Sequence, residues 1–415
     1  MEDFVHLHCH THYSILDGQS KVTHLVDKAV KDGMKGMAIT DHGVMFGIKE
    51  FADYCAKINK DRKKDGLEPF KPIFGCEMYV AHHRMEDKVK EHGDNGGYHL
   101  IVLAKNYQGY KNLIKLVSHA WVKGYYYKPR TDRTELEKYH EGLIVCSACI
   151  AGEVPSKIIK GDIDGAREAC QWYHNLFGDD YYLELQRHEV KDPNIIANRE
   201  TFPLQQKANK VLIQFAKEYG IKLVCTNDCH FEDKETAEAH DHLLCLATGK
   251  DLNDPNRMRY SKQEWFKTRE EMNEVFSDIP EALSNTLEIL NKVEFYSIDH
   301  GPIMPFFPIP ESFGTEEDIR KKYSKEDLLK EFSSDENGGN TLPEEEGMKK
   351  IEALGGWDKV YRIKFEAEYL SHLAYEGAKK RYGDPLPDNV KEHIKFELHV
   401  MKTMGFPGYF LIVQD

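Results

Sequence analysis

The sequence predicts an α/β protein, a distorted (β/α)7 barrel followed by a mostly helical second part. Three observations carry that prediction. Seven short apolar runs suited to strands recur through residues 1–275, charge-rich stretches of helical spacing separate most of them, and each run carries His, Asp, Glu or Cys side chains toward one end. Strands alternating with helices imply parallel pairing through right-handed crossovers. In barrels of this kind the active site gathers at the carboxyl ends of the strands. Those terminal side chains are therefore expected to converge on one pocket, as in a metalloenzyme, although an open doubly wound sheet would satisfy the same alternation.

The runs are Phe4–His10 (FVHLHCH), Met37–Gly43 (MAITDHG), Pro72–Val80, Tyr98–Ala104, Gly142–Cys149, Tyr181–His188 and Lys222–His230. Between them, Lys21–Gly33, Gly47–Lys60, Gln108–Val122, Pro155–Phe177 and Leu204–Tyr219 repeat apolar residues at helical spacing, the last stopping at Gly220. Beyond Ser261 the texture turns helical, with Arg269–Phe276 and Ile279–Val293 as further helices. Pro302, Pro305, Pro308 and Pro310 mark a junction. The expected organisation is a barrel over 1–275, a connector over 276–308, an acidic flexible insertion over 309–347 containing the loop Ser333–Asn340, and a helical region over 348–415. The chain stops inside the apolar run GYFLIVQD, so a longer parent is expected.

Bulk properties narrow the classes. At 415 residues the chain is long enough for two cores, and its net charge of −14 opposes a chain-wide electrostatic grip on nucleic acid while allowing a local basic groove. No run of 18 apolar residues and no charged-then-apolar leader occur, which predicts neither a membrane span nor secretion. Nine scattered cysteines, an odd number, do not form a disulfide framework, and a reducing cytoplasm is the natural compartment.

The candidate chemistry lies in the run ends. His6, His8, His10 and His12 share one parity, so a strand would place them on one face, where two neighbours can bind one cation. Asp17 follows in an LDG turn that also suits a simple cap. His42 stands where TDHG leaves a strand, beside Asp41, which could orient an imidazole or ligate directly. Glu77 ends an apolar run, and a carboxylate there needs a partner or a metal. His99 opens its strand and reaches the same rim only if the register permits. Cys146 and Cys149 form a CxxC, open to redox, burial or thiolate ligation by Cys149. Asp228 and His230 repeat the i, i+2 spacing of His8 and His10. Imidazole, carboxylate and thiolate together suit two or three Zn, Mn or Fe ions better than Mg or Ca, and clustered ions suit phosphoester hydrolysis. The segment WVKGYYYKPRTDR interleaves aromatics with Lys128, Arg130 and Arg133, a mixture able to stack bases and hold phosphates. His188 is a further substrate-side candidate.

Taken together, HLHCHTHYSILDG, AITDHG, GCEMYV, YHLIVLAKN, GLIVCSAC and TNDCHF resemble the polymerase and histidinol phosphatase (PHP) domain, in the version fused to bacterial replicative C-family polymerases. GYKNLIKL, KPRTDR and KTMGFPGYFLIVQD resemble the same family. The resemblance implies a PHP barrel and then the start of the polymerase palm over 348–415. It further implies a multinuclear centre with His8, His10, Asp17, His42, Glu77, His99, Cys149, Asp228 and His230 as ligands. A complete set suggests a metal-dependent 3′–5′ exonuclease that proofreads a primer end. The implied partners are primer-template DNA and, for the full parent, deoxynucleoside triphosphates, a sliding clamp and other replisome subunits. The palm carboxylates lie beyond this chain, so it is expected to lack polymerase activity. Two other readings stay open at this point, a small-molecule phosphatase and a structural scaffold that docks a separate exonuclease.

Overall fold

The computed structural model describes residues 1–88, 96–190, 198–300 and 305–415. Contacts divide the chain into two units, Met1–Asp299 and His300–Asp415. Pro302 of the proline cluster lies outside the described residues.

The first unit has the predicted α/β architecture. Its strands are β1 Gly36–Ile39, β2 Lys71–Val80, β3 Tyr98–Ala104, β4 Tyr125–Tyr126, β5 Lys128–Thr131, β6 Leu143–Cys146, β7 Tyr181–Leu185 and β8 Lys222–Cys225. They form one sheet in the order β4-β5-β2-β3-β6-β7-β8, with β1 also pairing β2. The first apolar run joins the two sides of this sheet. His6 and Cys9 accept backbone hydrogen bonds from Ala38 of β1 and Thr40 just after it, while His10 donates to Cys229 and Cys229 donates to His8 beyond β8. That run is irregular, with a bridge of Cys9 to Cys229 in place of a full ladder.

Among the described residues, ten α-helices surround the sheet: α1 Val22–Lys31, α2 Ile48–Lys64, α3 Tyr107–Val122, α4 Arg133–Tyr139, α5 Glu153–Lys160, α6 Ile163–Phe177, α7 Asn198–Tyr219, α8 Ala237–Thr248, α9 Arg269–Val275 and α10 Pro280–Lys292. Their apolar stripes explain the packing. Val22, Leu25, Val26 and Ala29 of α1 are buried at i, i+3, i+4 and i+7, and Val102, Ile144, Val145, Leu183 and Val224 fill the strands' side of the same core. The helix expected over Pro155–Phe177 is two, because Gly161 takes φ +86° and ends α5.

Two differences from the sequence expectation matter for the site. β3 runs antiparallel to both β2 and β6. The described part of 81–97 supplies no helix to carry a crossover, so the chain returns alongside its neighbour. In addition, residues 125–131 form the small hairpin β4–β5, whose turn residue Tyr127 has φ +60°.

The stretch expected as a connector begins with α10, whose Leu283, Ile289 and Leu290 are buried in the first unit's core. In the second unit, the stretch expected as a flexible insertion contains α11 Glu316–Lys322 and α12 Lys325–Ser333, with capping boxes Thr315/Asp318 and Ser324/Asp327. Acidity in composition is here acidity at helix starts, where Glu316, Glu317 and Asp318 face the positive end of the helix dipole. Helices α13 Glu344–Ala353, α14 Trp357–Tyr382, α15 Asp388–Thr403 and α16 Pro407–Gln414 complete this unit. Ile319, Leu328, Phe332, Ile351, Val360 and Ile363 form its core.

Candidate metal centre

All nine residues that the sequence singles out as ligands meet at one rim of the barrel. His8 and His10 come from the irregular first run, His42 from the end of β1, Glu77 from β2, Cys149 from beyond β6, and Asp228 and His230 from beyond β8. His99 arrives differently. Because β3 is inverted, its second residue pairs with Tyr79 near the end of β2, which puts a strand start on the rim formed by the other strands' ends. Asp17 enters on the loop after the first run. Four residues at or beside these loops take left-handed backbone conformations with positive φ: Leu16 (+62°), Tyr127 (+60°), Ala148 (+62°) and Asp228 (+48°). Two of them immediately precede Asp17 and Cys149, so the fold holds uncommon conformations where it presents donors.

Glu77 is the hub. Its Oε1 lies 3.4 Å from His8 Nε2 and 2.8 Å from His99 Nδ1. Its Oε2 lies 3.2 Å from His10 Nε2 and 2.8 Å from His42 Nδ1. Asp228 Oδ1 stands 3.0 Å from His8 Nε2 and 3.3 Å from His10 Nε2. Asp17 Oδ2 is 2.7 Å from His42 Nε2 and 3.6 Å from His230 Nε2. Cys149 Sγ lies 3.7 Å from His99 Nδ1. The imidazole of His10 stacks on those of His42 and His230 at 4.1 and 4.3 Å.

Outer partners decide which ring nitrogen faces the centre. His8 Nδ1 lies 2.7 Å from Glu184 Oε1, which can only accept. That proton leaves the Nε2 lone pair directed at Glu77 and Asp228. Ser14 Oγ donates to Asp41 Oδ1 at 2.7 Å, so it accepts from His10 Nδ1 at 3.0 Å and aims that Nε2 inward as well. His230 Nδ1 donates to the Asp228 carbonyl at 2.8 Å. Such carboxylate or carbonyl partners behind an imidazole are the usual way to orient a metal ligand. Glu184, Ser14, Tyr260 and His240 were not read from sequence. Tyr260 OH is 3.2 Å from Asp17 Oδ1 and 3.3 Å from His230 Nε2, and His240 Nε2 donates to the Asp17 carbonyl at 2.7 Å. A Glu inside the buried strand YYLEL was the one available signal, since such a carboxylate needs a partner.

The donor set fits divalent cations. His8 Nε2, His10 Nε2, His42 Nδ1, Glu77 Oε2 and Asp228 Oδ1 are buried and make no hydrogen bond, although they crowd together. Buried donor atoms that crowd together in this way are costly unless positive charge lies among them, as protons in the metal-free chain or as a bound cation. Donor atoms fall within 4.8 Å of one another in the groups His8/His10/Asp228, His42/Glu77/His99 and His10/His42/His230. Electrostatics agree. Burial alone would lower the His8 and His42 pKa values, but Asp228, Glu184 and Glu77 raise His8, and Glu77 with Asp17 raises His42 to about 10. Burial likewise opposes charge on His230, yet Asp17 and Asp228 raise it to about 9. The carboxyls respond inversely. Burial would raise Glu77 and Asp228, and the imidazoles around them hold both well below the usual range. The cavity favours positive charge.

Other expected residues are placed elsewhere. Lys128 lines the mouth of the centre. Arg130 is fully buried and donates to the carbonyls of Gly124, Met85 and Asp87, which ties β5 to the end of α3 and to the segment after β2. Arg133 is held by Glu153 and Glu168. His188 is buried, with Nε2 donating to the Asn227 carbonyl. All three are thus engaged by other residues of this unit. His6 departs from the one-face expectation, since the irregular run lacks strict two-residue periodicity, and it packs on Phe266 beside Cys229. All nine cysteines are free thiols, so Cys146 and Cys149 form no disulfide.

Comparison with known proteins agrees with this geometry. Residues 6–188 match the PHP domain family, and residues 368–415 match the bacterial DNA polymerase III alpha NTPase domain. The first unit thus carries a PHP domain, with Asp228 and His230 supplied from beyond the matched span. DNA polymerase III subunit alpha of Borreliella burgdorferi is 38% identical over 99% of this chain and 30% of its own length. The subunits of Treponema pallidum and Thermus aquaticus are each 35% identical over 99% of the chain, of which it covers 29% and 33%. The chain belongs to the bacterial DNA polymerase III alpha family and spans about a third of the length of these relatives. Among solved structures, a metal-dependent phosphoesterase of Bifidobacterium adolescentis aligns at 13% identity and TM-score 0.33, over 55% of this chain and 88% of its own. A two-domain protein of Bacteroides vulgatus with a PHP-like metal-dependent phosphoesterase aligns at 10% identity and TM-score 0.29, over 72% of this chain and 75% of its own. Among the described residues, no helix is long and apolar enough to cross a membrane.

Proposed function

We propose that the centre hydrolyses phosphodiesters as a metal-dependent 3′–5′ exonuclease, removing nucleotides from a DNA primer end in proofreading. The observation that carries this reading is the set of five buried, unpaired donor atoms on His8, His10, His42, Glu77 and Asp228. Together with Asp17, His99, Cys149 and His230 they would hold two or three divalent ions of the Zn, Mn or Fe type. Bound ions of this kind supply charge stabilisation to the phosphoryl oxygens and make water acidic enough to attack at neutral pH. The chain's own residues do the rest. Glu184 and Ser14 keep the ligand imidazoles in one tautomer, and Asp17, His42 and His99 form the more open side of the site, with 22%, 15% and 21% of their side chains exposed. Tyr260 OH, between Asp17 and His230, is placed to donate a hydrogen bond to a phosphate or leaving oxygen.

The full parent is proposed to be a DNA-directed DNA polymerase acting with primer-template DNA, deoxynucleoside triphosphates, a sliding clamp and other replisome subunits. The present 415 residues are proposed to carry the nuclease without primer extension. One observation favours a second reading. His8, His10 and Glu77 are almost fully buried, as in a structural centre, which suits a PHP scaffold that docks a separate exonuclease. Degradation of a mismatched primer end decides between them. The parent chain with added manganese should degrade it, and an Asp228→Asn variant should lose roughly a thousandfold or more in rate. Equal degradation by both would remove the nuclease reading.

A further inference from the structure

The mouth of the centre carries more exposed aromatic surface than packing explains. Phe46 is 61% exposed, Tyr127 58%, Tyr125 48% and Trp121 43%. They arise from two separate rim segments, the turn before α2 and the α3–β4–β5 corner, yet all line one cleft of about 250 Å³. Lys128 lines the same cleft, and so do Asp17 and His42 of the donor cluster. Specific contacts hold the platform in place. Trp121 Nε1 donates to the Gly43 carbonyl at 2.8 Å, and its ring stacks on Tyr125 at 5.5 Å with planes 22° apart. Lys128 Nζ stands 5.3 Å over the Tyr79 ring, and Tyr127 keeps its positive φ at the hairpin turn. Clustered, exposed apolar side chains on a rim mark a binding surface.

We propose that this cleft is a stacking subsite for one unpaired nucleobase at the end of a single strand of DNA. Lys128 faces a backbone phosphate there, and the scissile ester lies toward Asp17 and His42. A nucleotide presents a flat face, an anion and an ester in one unit, and the cleft offers planar rings, a cation and a donor cluster side by side. A peptide-docking face would have no use for the donor cluster. Stacking needs a free base face, which a base inside a duplex lacks, so the subsite selects frayed or mispaired ends and tolerates any base. This inference rests on the nuclease reading and narrows its substrate.

Binding to the metal-free chain tests the subsite independently of cleavage. Fluorescence anisotropy with chelator present would compare a labelled oligothymidylate with the same oligomer whose 3′ nucleotide is abasic. The parent should bind the base-bearing end about tenfold more tightly. Trp121→Ala, and separately Tyr127→Ala and Phe46→Ala at freely exposed positions, should reduce that preference toward unity with unchanged circular dichroism. Equal affinity for both ends, no binding of either, or an undiminished preference in all three variants would overturn the subsite; equal affinity would reassign the patch to contact with a polypeptide. Cleavage with manganese is measured in parallel. A preserved end preference with no cleavage would refute the nuclease and leave the subsite standing, whereas cleavage without end preference would do the reverse.

Discussion

At the residue scale, Glu77 and the groups behind its histidine neighbours govern the centre. Glu184 touches no other proposed ligand than His8, yet its carboxylate sets the tautomer of that imidazole. Glu184→Gln should therefore weaken metal binding about 10–100-fold while all nine ligands remain, as titration calorimetry would show. Unchanged affinity would make Glu184 a packing residue only. Protonation gives a second expectation. His42 raised to about 10 and His230 to about 9 hold protons at neutral pH in the metal-free chain. His8 is raised in the same direction, and a metal needs all three lone pairs, so uptake near pH 7.5 should release about three protons, and affinity should climb with pH. The sign for stability follows. A raised imidazole pKa stabilises the metal-free fold fully below the ordinary value of about 6.5 and loses that contribution as pH approaches about 9 to 10. The melting-temperature gap between metal-loaded and metal-free protein should thus widen across that window. A gap constant with pH would contradict this electrostatic account.

At the scale of elements, the junction of α3 with β6 shows how closely the barrel is built. Asn106 caps α3 by accepting from Gly109 N at 2.9 Å, and a Cβ on Gly109 would lie 1.8 Å from the Gly142 carbonyl oxygen. The obstacle is backbone, which cannot rotate away. Gly109→Ala should cost about 2 kcal/mol or more by overpacking, against about 1 kcal/mol for loss of the cap in Asn106→Ala. Thermal or urea unfolding measures both, and an Ala at 109 without penalty would show that the helix start can shift. α3 also carries Trp121 at its other end, so such a shift would reach the mouth of the centre.

For the whole molecule, two separate cores frame the expectation. Every proposed ligand belongs to Met1–Asp299, and none to His300–Asp415. Chelation should lower the unfolding temperature of the first unit and leave the second unchanged, as calorimetry resolves. At metal concentrations about 100 times Kd, the metal contributes about 2.7 kcal/mol to the unit that binds it. A single transition that moves as one would show instead that the units unfold together.

The α/β alternation, the donor pairs His8/His10, Asp41/His42 and Asp228/His230 and most helices could be read from spacing, because apolar periodicity and strand-end donors are local patterns along the chain. The complete set of nine, with Asp17 and His99, is implied only by the resemblance to the PHP domain. HLHCH, TDHG and TNDCH each announce donors within a few residues. What the letters left open depended on contacts distant in sequence. The inversion of β3, which brings His99 to the rim, follows from pairing with β2 and β6. Arg130 and His188 are substrate-side candidates in one dimension and buried side chains in three, and Arg133 is half-buried between Glu153 and Glu168. Glu184, Tyr260 and His240 acquire their place only when strands and loops up to 243 residues apart meet. The physical reason is that periodicity reports which face of an element is apolar, whereas a site is assembled by the long-range hydrogen bonds and packing that bring those faces together.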